Sequence, residues 1–170
     1  RALDLKIDTV VLSHRDTDHV GGAAAVLAMQ PQATLLSSIE NDHRLQTLRQ
    51  ATRCMAGQRW DWDGVRFEML HPADDDVAWA DKPNAVSCVL RVQDGAGRSL
   101  LLTGDIEAPQ EAALLARTGA ALASTMLVVP HHGSRTSSTA DGSSARPLGV
   151  GLTMRRICSS GMENGSDICV

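Results

Sequence analysis

The hydrophobic positions of this 170-residue chain occur in short runs separated by polar and glycine-containing segments. Five apolar runs predict buried strands, at residues 7–13, 33–37, 86–92, 99–103 and 126–130. Three segments between them predict helices, at residues 23–29, 41–55 and 109–116. Strands that alternate with helices in this way predict a layered α/β fold.

Two further segments differ from this alternation. Residues 59–70 contain an Asp63-Gly64 turn followed by alternating Val65, Phe67 and Met69, which predicts a β-hairpin. Residues 140–170 contain five Gly, five Ser and no aromatic residue, and they show no period of 2 or 3.6. We therefore expect a domain over residues 1–139 and an irregular tail over residues 140–170.

The composition narrows the function classes. Hydrophobic residues make up 43% and charged residues 21%, which excludes disordered, collagen-like and coiled-coil chains. With 16 Lys and Arg against 20 Asp and Glu, the net charge is −4, so a basic stripe that grips nucleic acid is not expected. A polyanionic substrate would need local positive charge, which bound metal can supply.

The four cysteines are far apart in sequence and form no CxxC pair, so we interpret them as incidental rather than as a disulfide or zinc framework. No apolar run reaches 18 residues, and we expect this part of the chain to lie outside the membrane.

The segment after the first predicted strand carries the strongest chemical signal. It contains His14, Asp16, Asp18 and His19, followed by two glycines. Side chains alternate along an extended chain, so His14, Asp16 and Asp18 should share one face. Four potential ligands within six residues favour metal binding over a structural role, which would be the better interpretation of a single His.

Two other predicted strands also end in His or Asp. Asp105 follows the strand at residues 99–103, and His131 and His132 follow the strand at residues 126–130. A carboxylate at a turn, or two adjacent histidines in an exposed turn, would each be weak signals alone. Ligands in α/β sheets bind at the carboxyl ends of strands, so the three segments together indicate one site.

The motifs HxDxDHxGG, LLTGD and VPHHGS resemble the metallo-β-lactamase superfamily, and more narrowly the C-terminal domain of the ComEC-type DNA-internalisation competence proteins. The resemblance covers roughly residues 1–139. It implies an αββα sandwich, here partial, with the opening strands of the family's N-terminal sheet missing upstream of residue 1. It also implies a metal-ligand set made of His14, Asp16, Asp18, His19, Asp105 and His132.

The family pattern has His where this chain has Asp16, and its middle histidine has no clear counterpart at residues 84–87. Both departures make the site richer in oxygen, which favours two Mn or Mg ions over Zn. We expect Asp18 to orient water as a catalytic group, and His131 to contact the substrate phosphate or support the ligands. Ser134 and Arg135 are further candidates for phosphate contact.

By this resemblance the chain is a metal-dependent phosphodiesterase, a nuclease that degrades single-stranded DNA during uptake. Its parent would be a channel in the bacterial inner membrane, with this domain on the outer face. Two alternatives stay open: a stand-alone hydrolase of a small ester or phosphodiester, and an inactive truncated fragment.

The family continues with a YxNRFGH-like motif that the tail at residues 140–170 lacks. In a shifted reading frame, the codons for residues 161–167 can encode a similar sequence, so we expect the tail to be out of frame. Three other features are interpreted as structural: a solvated loop at Asp74–Asp76, a His71-Pro72 turn, and hairpin packing, rather than base stacking, of Trp60 and Trp62.

Overall fold

The computed structural model describes residues 6–79 and 81–137. The predicted irregular tail at residues 140–170 lies outside these residues. Among the described residues, no helix combines the length and the apolar character needed to cross a bilayer.

The N-terminal part of the chain forms a parallel sheet of three strands. Its order is β1 (Thr9–Leu12), β2 (Thr34–Ser37) and β3 (Ala51–Arg53). Two short helices, α1 (Thr17–Val20) and α2 (Ala23–Met29), connect β1 to β2. Their apolar residues pack on one face of this sheet, where Leu27 and Leu35 belong to one buried cluster.

A second, five-stranded sheet follows in strict sequence order. Its strands are antiparallel except for the last pair, which is parallel, and they are β4 (Arg59–Trp62), β5 (Val65–His71), β6 (Val89–Gln93), β7 (Ser99–Leu102) and β8 (Met126–Leu127). Helix α3 (Ala108–Thr118) connects β7 to β8. It begins with a capping box between Glu107 and Gln110, and its Leu114 is buried against this sheet.

The two sheets face each other. Val11 and Leu36 of the first sheet pack in one cluster with Met69 and Leu90 of the second. The helices cover the opposite faces of the two sheets. The arrangement confirms the predicted αββα sandwich for this part of the chain.

The helix predicted at residues 41–55 is wrong. The structure has a single 3₁₀ turn at Arg44–Thr47, and Ala51–Arg53 pairs with β2 instead. The Gln46 side chain connects this turn to its flanking segments. Its Oε1 accepts the backbone N–H of Ala51, at the start of β3, at 2.8 Å, and its Nε2 donates to the Glu40 carbonyl before the turn. Sheet pairing thus outweighs a weak helical preference.

The predicted hairpin is confirmed, with its turn at Asp63 and Gly64, both of positive φ. Trp60 stacks on Phe67 with ring centroids 5.2 Å apart and packs against the cluster between the sheets. This confirms the packing role of Trp60. Trp62 meets Phe67 edge-on and is 44% exposed.

The interpretation of all four cysteines as incidental is wrong. Cys54 and Cys88 form a disulfide with a Cα–Cα distance of 5.8 Å. Cys54 follows β3 and Cys88 precedes β6, so the bond joins the two sheets. Its partners are 34 residues apart in sequence, and only the face-to-face packing of the sheets brings them together.

A polar network around the buried His71 and Asp76 stabilises the loop between β5 and β6. His71 Nδ1 lies 2.9 Å from Asp76 Oδ2, and Arg117 of α3 lies 3.2 Å from Asp76 Oδ1. His71 Nε2 lies 2.9 Å from the Ala85 carbonyl oxygen. The structural role predicted for His71 is confirmed, whereas Asp76 is buried and the expected solvated loop holds only for Asp74 and Asp75.

Removing the disulfide should destabilise the fold. The loop that it closes is 34 residues long, and the chain-entropy model assigns such a bond about 3–4 kcal/mol. Cys54→Ala/Cys88→Ala should therefore unfold at clearly lower urea concentration than the oxidised wild type. The matched control is a reductant, which should lower the midpoint of the wild type and leave that of the double variant unchanged. Equal midpoints for the oxidised wild type and the double variant would contradict the bond.

Acidification should destabilise the protein partly through His71. Burial lowers the pKa of His71 below 6.5, although the Ala85 carbonyl and Asp76 oppose this shift; nearby Arg117 adds to the lowering. As the pH falls below about 6.5, the unfolded chain therefore binds more protons at this residue than the folded chain does. The contribution of His71 to the free energy of unfolding is complete above about pH 6.5 and is lost as the pH drops toward the pKa of the folded state.

Urea unfolding at pH 7.5 and pH 5.5 measures this effect. His71→Gln should lose less free energy of unfolding over that interval than the wild type does. An identical loss in both proteins would show that His71 does not contribute.

Candidate metal centre

The ends of three chain segments meet at Gly104, which follows β7. A Cβ at this position would lie 2.9 Å from the Cβ atoms of both Ser13 and Ser87, and the φ of Gly104 is +55°. Only glycine fits this contact and this backbone conformation. The close approach brings Asp105 beside the segment that follows β1.

Asp105 occupies the middle of a cluster of ligand-type side chains. One ligand atom from each of four residues lies within 4.8 Å of the others, and these residues are Asp18, His19, Asp105 and His132. Asp105 Oδ1 lies 3.2 Å from His19 Nε2, and Asp105 Oδ2 lies 3.3 Å from His132 Nε2. His132 Nε2 also lies 3.2 Å from Asp18 Oδ2.

His14 and Asp16 extend this cluster. His14 Nε2 lies 3.5 Å from Asp16 Oδ2 and 3.9 Å from Asp105 Oδ2. The His14 side chain is fully buried, and its Nε2 has no hydrogen-bond partner among the described residues. An unpaired buried nitrogen that points toward two carboxylates is the arrangement that a bound cation satisfies.

The protonation of the cluster favours cation binding. Burial lowers the pKa of His14, and neighbouring His19 lowers it further, while Asp105, Asp16 and Asp18 oppose the shift. The pKa of Asp18 is also lowered. Desolvation raises it, but the hydrogen bond from its own backbone N–H and the neighbouring His19 and His132 outweigh that effect. At neutral pH, His14 is therefore uncharged and Asp18 is ionised.

The donor set fits divalent cations. It comprises three carboxylates and three imidazoles, all at the same edge of the sandwich. Three carboxylates this close together repel one another unless a positive charge lies between them. Hard carboxylate oxygens suit Mg or Mn, and imidazole nitrogens suit several transition metals.

The predicted common face of His14, Asp16 and Asp18 is only partly correct. The chain is extended at Asp16, but helix α1 begins at Thr17 and turns Asp18 and His19 toward Asp105. The short helix therefore divides the four residues along the chain into two groups, His14 and Asp16 in the extended segment before it and Asp18 and His19 within it.

The two adjacent histidines face different neighbours. Both have positive φ, 46° at His131 and 52° at His132, which costs on the order of 1–2 kcal/mol each. His132 joins the cluster, whereas His131 Nδ1 lies 2.8 Å from Thr136 Oγ1 and 3.4 Å from Glu107 Oε1. Its Nε2 lies 3.4 Å from Asn84 Nδ2.

The two residues predicted to contact phosphate lie beyond His131. Ser134 Oγ lies 3.2 Å from Thr136 Oγ1, and Arg135 is exposed. The structure therefore does not bring either of them into the ligand cluster.

Two serines at the centre were not predicted. Ser13 Oγ lies 3.0 Å from both His14 Nδ1 and His19 Nδ1. Ser87 Oγ accepts the Asp105 backbone N–H at 3.1 Å and lies 3.3 Å from His14 Nδ1. The only available sequence signals were the position of Ser13 directly before His14 and that of Ser87 where the family's middle histidine is missing.

Three bacterial relatives match most of this chain in sequence. The chain is 40% identical over 136 residues to the uncharacterized protein YcaI of Escherichia coli K12. It is 41% identical over 138 residues to competence protein ComA of Neisseria gonorrhoeae, and 40% identical over 133 residues to recombination protein 2 of Haemophilus influenzae. These matches cover 78–80% of the chain but only 16–18% of the relatives.

Among solved structures, a metallo-β-lactamase from Cronobacter sakazakii is similar with a TM-score of 0.45 and 17% identity, over 73% of this chain and 57% of that one. The profile of the metallo-β-lactamase superfamily matches residues 1–153. The chain therefore belongs to the metallo-β-lactamase superfamily, and it is similar to proteins named for competence and recombination.

Proposed function

We propose that the cluster around Asp105 holds two divalent cations, Mn or Mg rather than Zn. One ion would be held by His14, Asp16 and Asp105, and the other by Asp18, His19, Asp105 and His132. The observation that carries this proposal is the position of Asp105, whose two carboxylate oxygens face imidazoles from both groups. When bound, such ions activate water at neutral pH and neutralise charge on phosphate oxygens.

The side chains around the ions have distinct proposed roles. Asp18 is 62% exposed and ionised, so it can accept a hydrogen bond from the attacking water and orient it. His131 lies beside the cluster, and we assign its Nε2 to a phosphate oxygen of the substrate. Ser134 and Arg135 follow in the same loop and extend this phosphate contact outward.

We infer that the reaction is hydrolysis of a phosphodiester and that the substrate is single-stranded DNA in a DNA-uptake channel. The net charge of −4 provides no general attraction for a polyanion, so the cations and Arg135 must supply it locally. The relatives named for competence and recombination support DNA as the substrate. Hydrolysis itself is consistent with membership of a metallo-hydrolase superfamily.

The proposed parent protein is a channel in the bacterial inner membrane that presents this domain on the outer face. The chain spans less than a fifth of the relatives it matches, which leaves room for a channel domain in a parent of similar length. The Cys54–Cys88 disulfide supports the outer face, because disulfides persist in oxidising compartments.

The 170-residue chain should cleave single-stranded DNA when Mn²⁺ is added, and chelation should stop the cleavage. Asp105→Asn should lower the rate at least 10³-fold, because it removes a charge shared by both proposed ions. The measurement is release of fluorescent fragments from a labelled oligonucleotide.

Asp8→Asn is the matched control for this experiment, since Asp8 is exposed and precedes β1 at the end of the strand opposite the cluster. It should leave the rate unchanged. Cleavage of a small phosphodiester but not of DNA would favour the stand-alone hydrolase. Cleavage of neither substrate by the Mn²⁺-loaded chain would favour the inactive fragment.

A further inference from the structure

One hydroxyl oxygen lies against two of the proposed ligands. Ser13 Oγ is 3.0 Å from Nδ1 of His14 and 3.0 Å from Nδ1 of His19, and the two imidazole centroids are 4.2 Å apart. In both rings the other nitrogen, Nε2, faces the carboxylate of Asp105. The serine therefore contacts both histidines on the side opposite the proposed cations.

The chemistry of imidazole restricts how these hydrogen bonds run. A neutral imidazole has one N–H and one lone pair, and only the nitrogen with the lone pair can bind a cation. If Nε2 of His14 and of His19 bind cations, each ring must carry its proton on Nδ1. Both Nδ1–H groups then need an acceptor.

A serine oxygen is suited to this task because it has two acceptor lone pairs. It can accept one N–H from His14 and one from His19 at the same time. If the Ser13 O–H instead donated to either Nδ1, that ring would carry its proton on Nε2 and could not bind a cation while neutral. A single acceptor oxygen therefore selects the binding tautomer of two ligands.

The position of Ser13 is itself tightly held. Its carbonyl oxygen accepts the Cys88 backbone N–H at 2.9 Å and the Ser38 hydroxyl at 2.6 Å, from the residue before β6 and the residue after β2. Its Cβ packs against Gly104, where any added side chain would come within 2.9 Å. The hydroxyl is thus presented from a rigid point at the junction of the two sheets.

We propose that Ser13 is a positioning residue that fixes the Nδ1–H tautomer of both His14 and His19 and thereby prepares the centre for divalent cations. This inference rests on the metal centre proposed above. The Nδ1 atoms of the two histidines differ in the number of their hydrogen-bond partners. His14 Nδ1 has a second neighbour in Ser87 Oγ at 3.3 Å, whereas Ser13 is the only hydrogen-bond partner of His19 Nδ1 within the described residues.

The test compares the full 170-residue chain with Ser13→Ala, Ser13→Thr and Ser37→Ala. Ser37 is a matched control, since it is a buried serine whose hydroxyl, within the described part of the chain, bonds only to backbone groups, the Leu12 carbonyl and the Ile39 N–H. Mn²⁺ affinity is measured by the electron paramagnetic resonance signal of the free ion. Imidazole tautomers are measured by ¹⁵N NMR on the metal-free protein, because a cation bound at Nε2 would itself fix the Nδ1–H form.

Ser13→Ala should weaken Mn²⁺ binding about 10–100-fold, the usual effect of removing a hydrogen-bond partner of a ligand. Ser13→Thr keeps the acceptor oxygen and should recover most of the affinity, and Ser37→Ala should match the wild type. In the NMR spectra, loss of the Nδ1–H form should be greater for His19 than for His14.

Unchanged affinity and unchanged tautomers in Ser13→Ala would overturn the inference while leaving the metal centre in place. An equal loss in Ser37→Ala would also overturn it, because the effect would then be one of general stability. A wild-type chain that binds no Mn²⁺ would overturn the proposed metal centre and this inference together. DNA cleavage is not needed for any of these outcomes.

Discussion

The close contact at Gly104 is the constraint on which the site depends. No side chain fits there, and the Cβ atoms of Ser13 and Ser87 close around the bare backbone. This contact brings together the end of β1, the turn before β6 and the end of β7, so that Asp105 meets residues almost 90 positions earlier in the chain. The Cys54–Cys88 disulfide joins the two sheets one residue beyond Ser87.

The electrostatics of the centre follow from this geometry. Three carboxylates lie close together in a chain that is already acidic, and burial keeps His14 neutral, so that it adds no compensating charge. The backbone strain at His131 and His132 serves the same arrangement, because it directs His132 toward Asp105. A fold that maintains both repulsion and strain at one point is typical of a functional site rather than of a structural core.

Much of this could be predicted from the sequence, because apolar runs and strand-end motifs are local features. The αββα arrangement and the grouping of Asp18, His19, Asp105 and His132 depend on such features. The β3 strand was missed because its pairing with β2 decides its conformation, and the disulfide was missed because its cysteines meet only across the two sheets. Ser13 lies beside His14 in the motif, but its double contact appears only once α1 turns His19 back toward it.

The most direct test of the account is the number of divalent cations that one chain binds. Native mass spectrometry of the protein saturated with Mn²⁺ should show two ions per chain, and Asp105→Asn should weaken the binding of both, because its oxygens face both groups of ligands. A chain that takes up no ion, or a single ion that Asp105→Asn leaves in place, would contradict the centre proposed here.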